Sequence, residues 1–158
     1  MRRALAVLVL LAGVLPASAD LFIVRHAEKK SPKMDKSTLS PAGLKRAKTL
    51  AKVLADVPLK AVYVTEYERT RQTAAPSAAA HALTPIQTAS EDVKGLAASL
   101  KGLPESDDVL VVGHSDTIPD LLVELGVSTR AVIGAADFDN LWVVSRRGAA
   151  PVLHRLHY

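Results

Sequence analysis

Arg25 and His26 follow directly on the apolar run Leu21-Phe22-Ile23-Val24 and precede Ala27, Glu28 and Lys29. A guanidinium matches phosphate oxygens with two parallel hydrogen bonds, and neutral imidazole can attack phosphorus, so this pair suits phosphate chemistry. The plainer reading of the same residues is a surface His-Glu pair satisfied locally. A second junction of this kind runs Val109-Leu110-Val111-Val112-Gly113-His114-Ser115-Asp116-Thr117. There a glycine allows a tight turn, and a helix start offers free N–H groups to an anion.

Both junctions need a scaffold that ends buried strands beside one crevice. Four apolar residues running into a charged tip read as a buried strand, and open α/β sheets place ligands beyond the carboxyl ends of such strands. Residues 30–38 read as a polar loop over the strand ends. Ser40 and Pro41 predict an N-cap and a first helical residue, with Leu44, Ala47, Ala51 and Leu54 at helical spacing up to Val57-Pro58. Residues 61–64 read as the second strand, residues 75–82 as Ala-rich helix with Pro76 near its start, and residues 83–86 as a short edge strand. Ser90, Glu91 and Asp92 predict the capped start of a helix carrying Val93, Leu96 and Leu100. The helix beginning near Thr117-Ile118-Pro119 buries Leu121, Leu122 and Leu125 and stops at Gly126. Residues 140–144 and 151–156 close the sheet, with Arg146-Arg147-Gly148 turning between them. His81, His154 and His157 match no pattern and are assigned to the surface.

The chain has 158 residues, 49% hydrophobic and 23% charged, as expected of one folded domain. Residues 1–19 stand apart. Arg2 and Arg3 precede an apolar run from Ala4 to Val14, followed by Pro16 and the small residues Ala17-Ser18-Ala19, which reads as a secretory signal peptide cleaved after Ala19. A membrane span needs about 20 apolar residues, more than this run supplies. The expected mature domain is 20–158, exported to the periplasm or beyond, without stable membrane insertion after cleavage. Removing the segment leaves 18 basic against 16 acidic residues, because it holds two arginines and no acid. That balance says little for nucleic-acid binding, and 4% aromatic residues offer few stacking platforms. Without cysteine there is no disulfide framework and no thiolate metal site.

The segment LFIVRHAEK resembles the opening motif of the histidine phosphatase superfamily, the phosphoglycerate-mutase-like phosphatases, with Ala27 in the place of a glycine. The resemblance extends to Leu39-Ser40-Pro41-Ala42-Gly43, similar to that family's helix start, and to Thr65-Glu66-Tyr67-Glu68-Arg69-Thr70-Arg71-Gln72-Thr73-Ala74. Aligning Thr73-Ala74 implies that Arg69 is the arginine reaching the phosphate, with Arg71 pointing elsewhere; Thr65-Glu66 departs from the usual Ser-Pro. Gly113-His114 is similar to the family's second hallmark. The resemblance implies a three-layer α/β/α fold, with a mostly parallel sheet and helices on both faces.

It further implies a phosphomonoesterase working through a phosphohistidine. His26 would be the nucleophile, and Arg25, Arg69 and His114 would hold the phosphate oxygens. The proton donor stays open among Asp116, Asp92, Glu91 and Glu28. Neither metal nor cofactor is implied, and the partner would be a small phosphate ester or a phosphorylated protein or envelope molecule; the oligomeric state stays open. Two other readings stand beside it. One is a phospho-ligand-binding module that keeps the pocket without turnover. The other is a serine hydrolase using Ser115, although Thr117 occupies the place where a nucleophile elbow needs glycine.

Overall fold

The computed structural model describes residues 19–31, 33–34, 36–146 and 150–158. Its elements in chain order are β1 (Asp20–Arg25), α1 (Pro41–Val53), β2 (Leu59–Thr65), α2 (Glu68–Ala80), β3 (Ile86–Thr88), α3 (Val93–Lys101), β4 (Asp108–Gly113), α4 (Ile118–Glu124), β5 (Asn140–Ser145) and β6 (Val152–His157). The strands form one sheet in the order β3-β2-β4-β1-β5-β6. The pairs β3–β2, β2–β4 and β4–β1 are parallel, and β1–β5 and β5–β6 are antiparallel.

Strand side chains alternate between faces, and both faces are covered. On one, Leu21, Ile23, Val109, Val111, Trp142 and Val144 pack with Ala97 and Leu100 of α3 and Leu121 and Leu122 of α4. On the other, Val24, Leu110, Val112, Leu141 and Val143 pack with Leu50 of α1 and Ala74 and Ala78 of α2. Each fully buried Leu or Ile contributes roughly 1.5–3 kcal/mol of transfer free energy, which is why the strands read as continuous apolar runs. The result is the mostly parallel three-layer α/β/α fold.

The topology also sets where a ligand can sit. β1 and β4 are neighbours, yet β1 continues through α1 on one face toward β2, while β4 continues through α4 on the other toward β5. The connections leaving in opposite directions open a crevice at the carboxyl ends of these two strands. Arg25-His26 and Gly113-His114 are the residues at those ends.

Several elements differ from the sequence expectation. α1 ends at Val53, with the Leu54 N–H bonded to Leu50 O, and the chain then turns, so the helix stops short of Val57-Pro58. The Val57 carbonyl is taken by His81 Nε2 at 2.8 Å, which holds that turn on the end of α2. α2 is one helix from Glu68 through Pro76 to Ala80, so the arginine-bearing turn and the Ala-rich segment are continuous. Pro76 removes one N–H from the ladder, and the buried Thr73, Ala74, Ser77 and Ala78 keep the helix in place. Past its end Ala82 adopts φ +53°, a left-handed cap made without glycine, and Leu83 N donates to Ala78 O. Residues 83–85 therefore belong to the cap, and the edge strand begins three residues later, after Pro85. Gly126 has φ +93° and ends α4 as expected. The signal-peptide segment up to residue 18 and most of the turn at 146–148 lie outside the described residues.

Candidate active site

Hydrogen bonds tie the end of β1 to two other elements. His26 N donates to Gly113 O at 2.9 Å, locking it onto β4. Ala27 N donates to Thr73 Oγ1 at 2.9 Å, and Thr73 Oγ1 donates to Arg69 O at 2.8 Å, locking it onto the first turn of α2. The threonine of the Thr-Ala pair thus connects the residue after His26 to the turn that carries Arg69. The Ala27 methyl is fully buried with Leu39 and Ala47. Gly43 explains the short motif at the start of α1: a Cβ there would overlap the Glu28 carbonyl oxygen, which accepts from Ser40 N at 2.8 Å. Gly113 plays a different part from the one expected. Its φ is not positive, and what it provides is room, since a Cβ would stand 3.2 Å from Ile118.

Arg25, His26, Arg69 and His114 are all buried and line one cavity of about 400 Å³. The two histidine rings lie 5.3 Å apart in an edge-on arrangement. His26 Nδ1 lies 2.8 Å from the Ala27 carbonyl, which can only accept, so Nδ1 carries the proton and Nε2 keeps its lone pair. Arg69 Nη2 donates to His114 Nδ1 at 3.3 Å, which places the His114 proton on Nε2, directed at Thr65 Oγ1 2.9 Å away. Thr65 therefore has a role that its departure from the family pattern did not suggest: it accepts the Nε2 proton of His114, whose tautomer Arg69 sets. Both nitrogens of His114 are engaged in this way, so His114 does not offer a base to Ser115.

Burial is the main cause that holds the His26 pKa down at about 3, with His114, Arg69 and Arg25 adding to it. Burial, then Arg69, lowers His114 to about 4. Both are neutral at pH 7, the state a nitrogen nucleophile requires. Burial also lowers the Arg25 pKa, offset chiefly by Asp137 and then Asp116. The linkage sign follows from these depressed values. Histidines neutral in the fold and free to protonate when unfolded contribute stability above pH 6.5 that is lost as pH falls toward 4 and then 3. Urea midpoints are expected to be level from pH 8 to 7 and to drop between pH 6.5 and 5, above the carboxylate range. A His26→Gln/His114→Asn protein should lose most of that drop; an unchanged slope would contradict it.

The structure separates the four carboxylates. Glu28 is held by Arg46 through Nε at 2.9 Å and Nη2 at 2.7 Å, and does not line the cavity. Burial opposes its ionisation, yet the Arg46 hydrogen bonds win and hold its pKa below the usual range. Asp92 is the N-cap of α3, accepting from Gly95 N at 2.9 Å, and faces away from the cavity. Glu91 and Asp116 are on the cavity wall, and Asp116 acts electrostatically on both Arg25 and His114. Glu66 also gains an account: its carboxylate accepts from Ser90 N at 2.8 Å and Ser90 Oγ at 2.7 Å, which fixes the segment carrying Glu91. Arg71 pairs with Glu68 and Gln87 outside the cavity, as the alignment implied.

Three side chains at the site were given no role by the sequence. Tyr67 lines the cavity, Phe138 lies over Arg25, and Lys29 stands at the rim. The one available signal was scarcity: with one Trp, three Tyr and two Phe in the chain, an aromatic residue in a polar segment stands out.

A buried pair of arginines and two neutral histidines beside the carboxyl ends of the parallel neighbours β1 and β4 make a set of groups suited to an oxyanion. Residues 21–91 match the model of the histidine phosphatase superfamily (branch 1). No curated protein matches the chain in sequence. Among solved structures it is similar to the candidate phosphohistidine phosphatase SixA from Nakamurella multipartitia, with 23% identity, 89% of this chain and 96% of that one covered, and TM-score 0.62. It is similar to the protein histidine phosphatase SixA in complex with tungstate, at 19% identity, 87% and 96% coverage and TM-score 0.68. A mycobacterial glucosyl-3-phosphoglycerate phosphatase gives 14% identity, 89% and 98% coverage and TM-score 0.68. At these identities the likeness is one of fold.

Proposed function

We propose that the chain is a phosphomonoesterase that passes a phosphoryl group through His26 Nε2. The observation that carries this is the tautomer: Ala27 O holds the Nδ1 proton and leaves the Nε2 lone pair as nucleophile, in the cavity that the buried Arg25 and Arg69 also line. Nε2 forms a bond to phosphorus as the ester P–O bond breaks, and the leaving alkoxide takes a proton from a carboxylic acid. Water then attacks phosphorus, giving a proton to the same carboxylate, and the N–P bond breaks to release phosphate and neutral His26. Arg25 and Arg69 stabilise the charge on the equatorial oxygens. His114 orients Arg69 through Nδ1.

Asp116 is the first choice for the acid, since it lies on the cavity wall and acts on both Arg25 and His114; Glu91 is the second. A general acid assists an alkoxide and hardly matters for nitrophenolate, and its contribution is about 10²- to 10⁴-fold. The test is phosphate release from a panel of monoesters. Asp116→Asn is expected to slow alkyl-phosphate hydrolysis at least about tenfold more than nitrophenyl-phosphate hydrolysis. If neither Asp116→Asn nor Glu91→Gln shows that split, no dedicated acid operates, and the substrate then has a good leaving group such as a phosphoramidate. No phosphate release from any ester or phosphoramidate would leave a phosphate-binding module.

The polar rim of Lys29, Ser90, Glu91, Ser115 and Asp116 supports a small phosphate ester or a phosphorylated protein or envelope molecule as substrate. The neighbours range from protein phosphohistidine to sugar-linked phosphoglycerate phosphatases. For localisation, the proposal is export with cleavage after Ala19. Asp20 N lies 2.7 Å from Asp108 Oδ1, so in a chain beginning there the new ammonium group would meet a carboxylate. Among the described residues no helix is long and apolar enough to cross a membrane. Intact mass of the protein from the periplasm of a bacterial host is expected to correspond to a start at Asp20. Recovery of the uncleaved chain in the membrane fraction would refute export by cleavage.

A further inference from the structure

We propose that Phe138 and Tyr67 are positioning residues that fix the planes of the two phosphate-binding guanidinium groups. The inference rests on the functional reading above and assigns a role to residues to which that reading gives none. Arg25 Cζ lies 4.1 Å from the centroid of the Phe138 ring, and Arg69 Cζ lies 4.1 Å from the centroid of the Tyr67 ring. In a chain with one Trp, three Tyr and two Phe, two of the rings cover these two arginines.

The physics concerns what a guanidinium can and cannot do. Its donors lie in one plane and its faces are weakly hydrated, so an aromatic ring on one face attracts the cation and resists its rotation out of plane. For Arg25 the in-plane direction is set as well. Nη1 donates to three carbonyls of the loop before β5, Gly134 O at 2.9 Å, Ala135 O at 3.1 Å and Asp137 O at 3.3 Å. That loop is closed on itself, with Gly134 N donating to Asp137 Oδ2 at 2.8 Å and Asp137 N to Gly134 O at 3.1 Å. Ring and carbonyls together leave Arg25 only the Nε–Nη2 edge, the edge that makes a two-point contact with an oxyanion, and Nε is buried without a hydrogen-bond partner among the described residues.

Tyr67 does the corresponding work from the turn between β2 and α2. Its ring also meets His114 edge-on at 5.3 Å, so it touches both groups that face each other across the Arg69–His114 hydrogen bond. Phe138 likewise stands 6.2 Å from the His26 ring, beside the nucleophile. Held planes are worth most where charge on the equatorial oxygens is greatest, which is the transition state.

The test uses the full-length mature protein and two readouts, calorimetric binding of inorganic phosphate and the kinetics of nitrophenyl phosphate hydrolysis, with melting temperature as the control. Phe138→Leu and Tyr67→Leu keep apolar bulk without a π face. Each is expected to lower kcat/KM by about tenfold, with most of the loss in kcat, and to weaken phosphate binding to a smaller degree. Phe138→Tyr and Tyr67→Phe keep the face and are expected to stay within about twofold of the parent. Folded Leu variants with unchanged kcat and phosphate affinity would overturn the inference, as would aromatic replacements that lose as much as the Leu ones. If a Leu variant does not fold, the Met replacement at the same position takes its place under the same criteria. A parent protein that neither binds phosphate nor hydrolyses the ester overturns the functional reading and this inference with it; a parent that does both, beside unaffected Leu or Met variants, overturns this inference alone.

Discussion

The parent protein is expected to form a phosphoenzyme, and His26→Ala is expected to abolish it. Stopping the reaction in alkali shortly after mixing with labelled substrate should trap one phosphate per chain, stable in base and lost in acid, because a phosphoramidate N–P bond is acid-labile. The same substitution should lower kcat by on the order of 10⁴-fold or more, the scale of removing a nucleophile from a preorganised site. The effect is this large because nothing else in the cavity replaces Nε2: His114 has both ring nitrogens engaged by Thr65 and Arg69. A label that survives acid, or a His26→Ala protein with full activity, would eliminate the phosphohistidine route.

Arg69→Ala is expected to reduce kcat/KM by about 10²- to 10³-fold, the range for deleting one fixed donor to a developing oxyanion. Arg71→Ala, two residues away on the same helix, should stay within about fivefold, since an exposed ion pair contributes roughly 0–1 kcal/mol. Arg69 is buried beside His114 and Tyr67, whereas Arg71 pairs with Glu68 in solvent. Steady-state kinetics on both variants decides the matter. Similar losses would mean that position on α2 does not select the phosphate ligand.

The local chemistry is legible in the order of residues. An apolar strand running into Arg25-His26, a second into Gly113-His114, and the cap at Ser40 are short-range patterns, and each is present where it was expected, whereas the cap of α3 is Asp92 itself and its first turn holds no acid. Boundaries that depend on cap conformation are not legible in this way. Ala82 adopts a left-handed backbone with no glycine to announce it, so the edge strand starts later than its composition suggested. Likewise Pro76 sits inside α2, because packing on α1 and β2 outweighs one missing hydrogen bond.

The sequence by itself determined most of the elements and, through the resemblance, which histidine and arginines to look for at the strand ends. Only the tertiary structure decided which of the four carboxylates share the cavity, because Glu28 meets Arg46 across 18 positions and Asp92 turns inward to cap its own helix. The tautomers of both histidines were also decided there, since Thr65 and Arg69 reach His114 from 49 and 45 residues away. So was the grip on Arg25, whose carbonyl partners and covering ring lie more than a hundred residues further along the chain. Periodicity and capping are set by neighbours within a few residues, whereas the direction of a proton or the plane of a guanidinium is set by atoms that only folding brings within hydrogen-bond distance.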